Sequence, residues 1–251
     1  MSFVRANSVT HHVQVLGQGP RVFFLHGLGI GNLASWYFTA AAALSGQHQV
    51  VMYDLRGHGK SERIASGYDL ATLAADLGSL VDHLGQEPVS LVGHSGGGLI
   101  AMRYAIAHPE RVRRLVLLDV PLSPARILHL DRPELHDPAR LLASLPAHLR
   151  ESARPGRRRL KNLLGTLEFL FTQSSLVDDL RAEPDVSDEC LWRLGCPLLC
   201  IFGDRSYYRS HWEQPARALP LVRTEVLPGG HHIHLEQPEA VSRLIAEFLD
   251  G

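Results

Sequence analysis

Gly93-His94-Ser95-Gly96-Gly97 is the stretch that decides the fold. It reads G-x-S-x-G, and the apolar run Pro88-Val89-Ser90-Leu91-Val92 stands directly before it. Leu99-Ile100-Ala101-Met102-Arg103-Tyr104-Ala105 follows and reads as a helix. A serine on a sharp strand-to-helix turn is a nucleophile elbow, with its hydroxyl projecting above the sheet. Strand and helix nearly touch at such a turn. The residues two before and two after the serine must therefore be tiny, and Gly93 and Gly97 meet that need. The five-residue pattern alone also occurs in ordinary glycine-rich turns. Its flanking strand and helix turn it into the expectation of a hydrolase with Ser95 as nucleophile.

Working outward, five more apolar runs end in polar or glycine-rich turns. Arg21-Val22-Phe23-Phe24-Leu25 ends at His26-Gly27-Leu28-Gly29, and Val50-Val51-Met52-Tyr53 ends at Asp54-Leu55-Arg56-Gly57-His58-Gly59. Asp69 predicts the N-cap of a helix carrying Leu70, Leu73, Leu77, Leu80, Val81 and Leu84, closed by Gly85. The elbow helix is expected to stop near His108-Pro109. Leu115-Val116-Leu117-Leu118 ends at Asp119, Leu198-Leu199-Cys200-Ile201-Phe202 at Gly203-Asp204, and Thr224-Glu225-Val226-Leu227 at Pro228-Gly229-Gly230-His231. A last amphipathic helix begins near Pro238 and carries Val241, Leu244, Ile245, Phe248 and Leu249. Near-continuous apolar runs are strands buried on both faces of a largely parallel sheet. Their alternation with helices predicts a doubly wound α/β architecture. Active sites in such sheets lie beyond the carboxyl ends of the strands. His26, Asp54, Ser95, Asp119, Asp204 and His231 all follow such an end, so they converge on one rim.

Residues 121–190 interrupt this alternation and contain no clear strand. Asp137-Pro138 is a good helix start for Leu141, Leu142, Leu145 and Leu149, and a second helix carries Leu160, Leu163, Leu164, Leu167, Leu170 and Phe171. The expected organisation is a core of residues 1–120 and 191–251 with a helical cap at 121–190. The basic run from Arg154 to Lys161 reads as a solvated face rather than a nucleic-acid site.

Composition narrows the class. The chain has 251 residues, enough for one large α/β domain with an insertion. Its formal net charge of −1 gives no global attraction to nucleic acid or anionic lipid. Neither a membrane-length apolar run nor a signal-peptide pattern is evident. The three cysteines, Cys190, Cys196 and Cys200, match neither a disulfide framework nor a C-x2-C zinc pattern, so a cytoplasmic home is expected.

Taken together, His26-Gly27-Leu28-Gly29, Asp54-Leu55-Arg56-Gly57-His58-Gly59-Lys60-Ser61, the Ser95 elbow, and Gly230-His231 with His234-Leu235-Glu236-Gln237-Pro238 resemble the α/β-hydrolase superfamily. The resemblance covers nearly the whole chain outside the cap. It is specific for fold and much less so for substrate, because one fold hosts many chemistries.

A serine hydroxyl needs a base, and histidine titrates near operating pH. Among fifteen histidines the resemblance selects His231, directly after Gly230. Its late position suits the order Ser, Asp, His. A metal site built from His231, His232 and His234 lacks familiar ligand spacing. His234 is expected to order the loop or line the site. The oxyanion needs two backbone N–H donors. Gly96, after the nucleophile, supplies one, and Leu28 the other by resemblance. His26, Asp54 and Arg56 are expected to brace the loops.

The acid must hold the base in its working tautomer. Most of the family carries it three residues after the glycine that ends the late strand. Here that glycine is Gly203 and the third residue on is Ser206, a neutral hydroxyl. Two candidates stand: Asp119, the first choice, where a minority of the family seats its acid, and Asp204 as the alternative. The expected function is a serine hydrolase of a carboxylic ester, thioester or lactone, acting through an acyl-enzyme with no cofactor and no metal. Its partner would be a small acyl ester. The alternatives are C–C bond hydrolysis, acyl transfer or lyase chemistry on the same triad, or a non-catalytic ligand receptor on this fold.

Overall fold

A computed structural model describes residues 2–127 and 157–251. Eight strands form one sheet in the order β1-β2-β4-β3-β5-β6-β7-β8. They are β1 (Ser2–Ala6), β2 (Val9–Leu16), β3 (Arg21–Leu25), β4 (Gln49–Tyr53), β5 (Val89–His94), β6 (Val112–Leu118), β7 (Leu198–Gly203) and β8 (Val222–Leu227). From β4 through β8 every neighbouring pair is parallel, while β1 and β2 form an antiparallel pair on one edge. The Ser95 strand, β5, lies inside the sheet between β3 and β6.

Side chains alternate across a strand, and the core divides accordingly. Phe23, Leu25, Leu91, Leu115 and Leu117 pack on one face, beneath the helices Leu70–Leu84 and Gly96–Ala107. Val22, Phe24, Val92, Val116 and Leu118 pack on the other, against Trp36, Leu44 and the helix Pro238–Asp250. Every residue of β5 and β7 is buried, as continuous apolar runs require. The two edge strands, β1 and β8, are more exposed. In β8 this leaves Val226 at 44% exposure.

The helix limits follow their local chemistry. Asp69 caps Leu70–Leu84, its carboxylate accepting from the Thr72 N–H at 2.8 Å, and Gly85 ends the helix at φ 133°. Pro238 occupies the first turn of the last helix, where its missing N–H costs nothing.

Several elements go beyond the sequence expectation, and three of them belong to the framework around the sheet. The β1–β2 hairpin turns at Asn7 and Ser8, both at positive φ. Its pattern is obscured because His11 and His12 are buried in β2 beside Val13. The broken helical stretch from Ala34 to Leu44 and the helix Arg209–Ala218, with Pro215 inside it, are the other two.

Between β6 and β7 the described residues form the helices Arg157–Thr172, Leu176–Ala182 and Asp188–Trp192. Leu167, Leu170, Phe171, Leu176 and Leu180 are buried in the same cluster as Leu28 and Leu117. Asp179 and Glu183 accept from the Tyr68 and Leu70 N–H groups at 2.8 and 2.7 Å, tying these helices to the loop after β4. The helix expected from Asp137-Pro138, with Leu141, Leu142, Leu145 and Leu149, lies outside the described residues, as does the start of the Arg154–Lys161 run. Cys190, Cys196 and Cys200 are free, and burial pushes the Cys196 thiol up to about 11. Among the described residues no helix is long and apolar enough to cross a membrane.

Candidate active site

Ser95 stands between β5 and the helix Gly96–Ala107 at φ 52°, ψ −125°. The close approach is measurable. A Cβ on Gly93 would sit 2.5 Å from the Gly98 Cα, and one on Gly97 would sit 2.4 Å from the His26 carbonyl oxygen. Both are far inside van der Waals contact with backbone, so neither position tolerates a side chain. The Ser95 N–H donates to the Leu118 carbonyl at 2.9 Å, which fixes the elbow to the end of the next strand.

That next strand ends in Asp119, fully buried at φ 49°, with its N–H donating to the Ile201 carbonyl at 2.9 Å. His231 reaches the same point from the loop after β8. Its Nδ1–H donates to Asp119 Oδ2 at 2.5 Å, and its Nε2 lies 3.1 Å from Ser95 Oγ. A carboxylate can only accept, so the imidazole proton belongs on Nδ1. This leaves the Nε2 lone pair facing the serine hydroxyl. Among the described residues the second Asp119 oxygen, Oδ1, is buried with no hydrogen-bond donor. Its charge is poorly solvated, and a positive charge on His231 would offset that cost.

Asp204 is placed elsewhere. Its Oδ1 accepts from the Gly229 N–H at 2.9 Å and lies 3.4 Å from the Arg205 guanidinium, with the side chain 46% exposed. Both His231 ring nitrogens have other partners, so Asp204 braces the loop that carries the histidine instead of touching its ring. Glu236 does the same one residue later, accepting from the Gly230 N–H at 2.9 Å.

The Leu28 side chain lies against Gly96; a Cβ added there would meet Leu28 Cγ at 2.7 Å. This contact brings the loop after β3 beside the elbow. Among the described residues neither the Leu28 nor the Gly96 N–H has a hydrogen-bond acceptor. Two histidines hold that loop. His26 accepts from the Leu55 N–H at 3.0 Å through Nε2 and donates through Nδ1 to the Gly27 carbonyl at 2.9 Å. His58 accepts from the Gly29 N–H at 2.9 Å and donates to the Arg56 carbonyl at 2.8 Å. Each ring uses one nitrogen as acceptor, which requires the neutral form. Burial, followed by the neighbouring His26 ring, pushes His58 down to about 3, and burial lowers His26.

Asp54 and Arg56 are structural braces. Asp54 accepts from the Leu33 and Lys60 N–H groups at 2.8 and 2.9 Å and from His12 Nδ1 at 2.8 Å. Arg56 makes a two-pronged contact with Asp76, at 2.7 and 2.6 Å. His234 is buried, its ring 4.7 Å from that of Trp36 and 4.3 Å from that of His94.

Sequence reasoning did not single out Tyr208 or Trp212. The Tyr208 ring meets that of His231 edge-on at 5.2 Å, and its hydroxyl donates to the Arg126 carbonyl at 3.1 Å. Trp212 Nε1–H donates to the Val120 carbonyl at 2.8 Å. Both pin the segment that follows Asp119. Their one sequence signal is a position shortly after the end of β7.

A sequence model of the alpha/beta hydrolase fold matches residues 20–153. The chain belongs to this family. The Magnesium-chelatase 30 kDa subunit of Rhodobacter capsulatus is 30% identical to this α/β-hydrolase over 257 residues, covering 93% of this chain and 88% of that protein. A soluble epoxide hydrolase of Corynebacterium sp. (strain C12) is 37% identical over 116 residues, covering 45% of this chain and only 39% of that protein. Among solved structures, a thermophilic esterase from Thermogutta terrifontis superposes with a TM-score of 0.76 at 25% identity, covering 100% of this chain and 98% of that one. The family, together with the epoxide hydrolase and esterase names, supports a hydrolytic enzyme in general terms, whereas the Rhodobacter capsulatus relative carries the name of a chelatase subunit.

Proposed function

We propose that this α/β-hydrolase is a serine hydrolase that cleaves a carboxylic ester, thioester or lactone through an acyl-enzyme on Ser95. The observation that carries the reading is the unbroken contact from Ser95 Oγ through His231 to Asp119, at 3.1 and 2.5 Å. In this reading Ser95 Oγ attacks the acyl carbon and its proton passes to His231 Nε2. Asp119 stabilises the resulting imidazolium and keeps the ring in its working tautomer. The Leu28 and Gly96 N–H groups hold the tetrahedral oxyanion. Collapse returns the proton to the leaving alcohol or thiol. Water then repeats the sequence, and Ser95 is regenerated.

The substrate proposed is a small acyl ester, with the helical segment between β6 and β7 acting as a cap over its acyl group. The apolar side chains that this segment shares with the Leu28 cluster support that reading. Three free thiols fit a reducing, cytoplasmic setting. The esterase name of the Thermogutta structure points the same way as the chemistry. The epoxide hydrolase name does not, because Ser95 stands where epoxide hydrolases of this fold use an aspartate.

A fluorophosphonate probe tests the reading directly. Wild-type protein is expected to take up one label and Ser95→Ala none, with turnover of a chromogenic ester falling by about a millionfold. Equal labelling of the two proteins, or none of either, would remove Ser95 from the mechanism.

A further inference from the structure

We propose that His94 is a positioning residue that sets the reach of His231 to Ser95 by gripping the His231 main chain; this rests on the serine-hydrolase reading above. His94 Nε2 lies 2.9 Å from the carbonyl oxygen of His231 itself. A carbonyl can only accept, so Nε2 carries the proton. His94 is the last residue of β5, which is paired to β3 on one side and β6 on the other. One strand end therefore presents both the nucleophile and, one residue earlier, the donor that holds the base.

The loop being gripped needs such a hold. His231 sits among residues with little regular structure, just before the four-residue helix Ile233–Glu236. Side-chain contacts to Ser95 and Asp119 orient its ring. The donor from His94 instead fixes the backbone from which the ring projects, so the two constraints are independent. The His94 ring also packs 4.8 Å from that of His231, 5.4 Å from His232 and 4.3 Å from His234. On its far side it abuts the loop before Leu28, where a Cβ on Gly27 would lie 3.0 Å from Nδ1. Base loop and oxyanion loop thus close on one imidazole. Burial, together with the three neighbouring imidazoles, lowers the His94 pKa, so the ring stays neutral beside a His231 that becomes charged during turnover.

Two amide variants separate the grip from mere space filling. Glutamine can bring its N–H close to the position of imidazole Nε2, whereas asparagine stops short. His94→Gln is expected to keep kcat within about threefold of wild type. His94→Asn should lose about 30-fold or more in kcat, with KM within twofold and fluorophosphonate labelling of Ser95 slowed in parallel. The downfield proton resonance of the His231–Asp119 hydrogen bond should persist in His94→Gln and broaden in His94→Asn. Equal kcat in the two variants overturns the proposal. Failure of both to fold also overturns it, since the ring would then be a packing element. Either result with wild-type protein still labelled at Ser95 strikes only the role of His94; absence of that labelling strikes the serine reading beneath it.

Discussion

The ends of β6 and β7 each offer an aspartate to the same histidine loop, and they differ in almost every physical respect. Asp119 is completely buried, at positive φ, with one oxygen on His231 Nδ1 and the other without a donor among the described residues. Asp204 is half in solvent, beside Arg205, and gives an oxygen to the Gly229 N–H. Solvent and a surface cation screen a charge, so an exposed carboxylate interacts weakly with a charge elsewhere. A desolvated carboxylate in direct contact interacts strongly. The contrast gives the two groups different places on one loop: one faces the His231 ring, and the other shapes the turn that presents it.

The strongest test of that contrast is Asp119→Asn. The amide keeps size and burial, but it favours the wrong tautomer of His231 and cannot stabilise the imidazolium. Ester turnover should fall by about 10⁴-fold, with wild-type circular dichroism, as for related triads. A loss under tenfold would mean that the buried contact is not the functional one.

A second, intermediate effect limits the pH at which the contrast can be read. His58 takes up a proton near pH 6.5 when unfolded, but within the fold it stays neutral down to about 3. Between those values the unfolded chain binds the extra proton, so stability falls as the pH falls through this window. The slope approaches about 1.4 kcal/mol per pH unit for such a histidine, and His26, lowered in the same direction, adds to it. Chemical denaturation at pH 8, 6.5 and 5 should give a steadily lower midpoint. A midpoint that does not move would mean that these rings accept protons inside the fold.

The smallest effect is expected at the other strand end. Asp204→Asn keeps an oxygen that can accept from Gly229, so kcat should change by less than about threefold and stability by under about 1 kcal/mol. A loss comparable to that of Asp119→Asn would reverse the two assignments.

What was legible in the sequence follows from how local each signal is. The elbow depends on five consecutive residues and on glycines whose need is steric, and the structure has Gly93 and Gly97 against backbone and Gly96 against the Leu28 side chain. The capping of Leu70–Leu84 is equally local. The pairing of His231 with an aspartate spans 112 positions, and both Asp119 and Asp204 satisfied the rule that polar residues gather beyond strand ends. Only their burial and loop contacts separate them, and neither is written in a local pattern. The β1–β2 hairpin was obscured because the consecutive His11 and His12, on opposite faces of β2, are both buried beside Asp76 and Asp54, so the strand reads neither as alternating nor as apolar. His94 was hidden as the variable letter of a motif. Its partner is a main-chain carbonyl, which no side-chain pattern reports.

Ser95 and Asp119 share a feature found at only two other non-glycine residues among those described, both in the β1–β2 turn: a positive φ. Left-handed backbone at a residue with a side chain is strained, and glycine relieves it. On the serine-hydrolase reading proposed above, glycine at either position would relax that strain and abolish turnover. On that reading, the two strand ends where the backbone is least comfortable are also the two where the side chain is least replaceable.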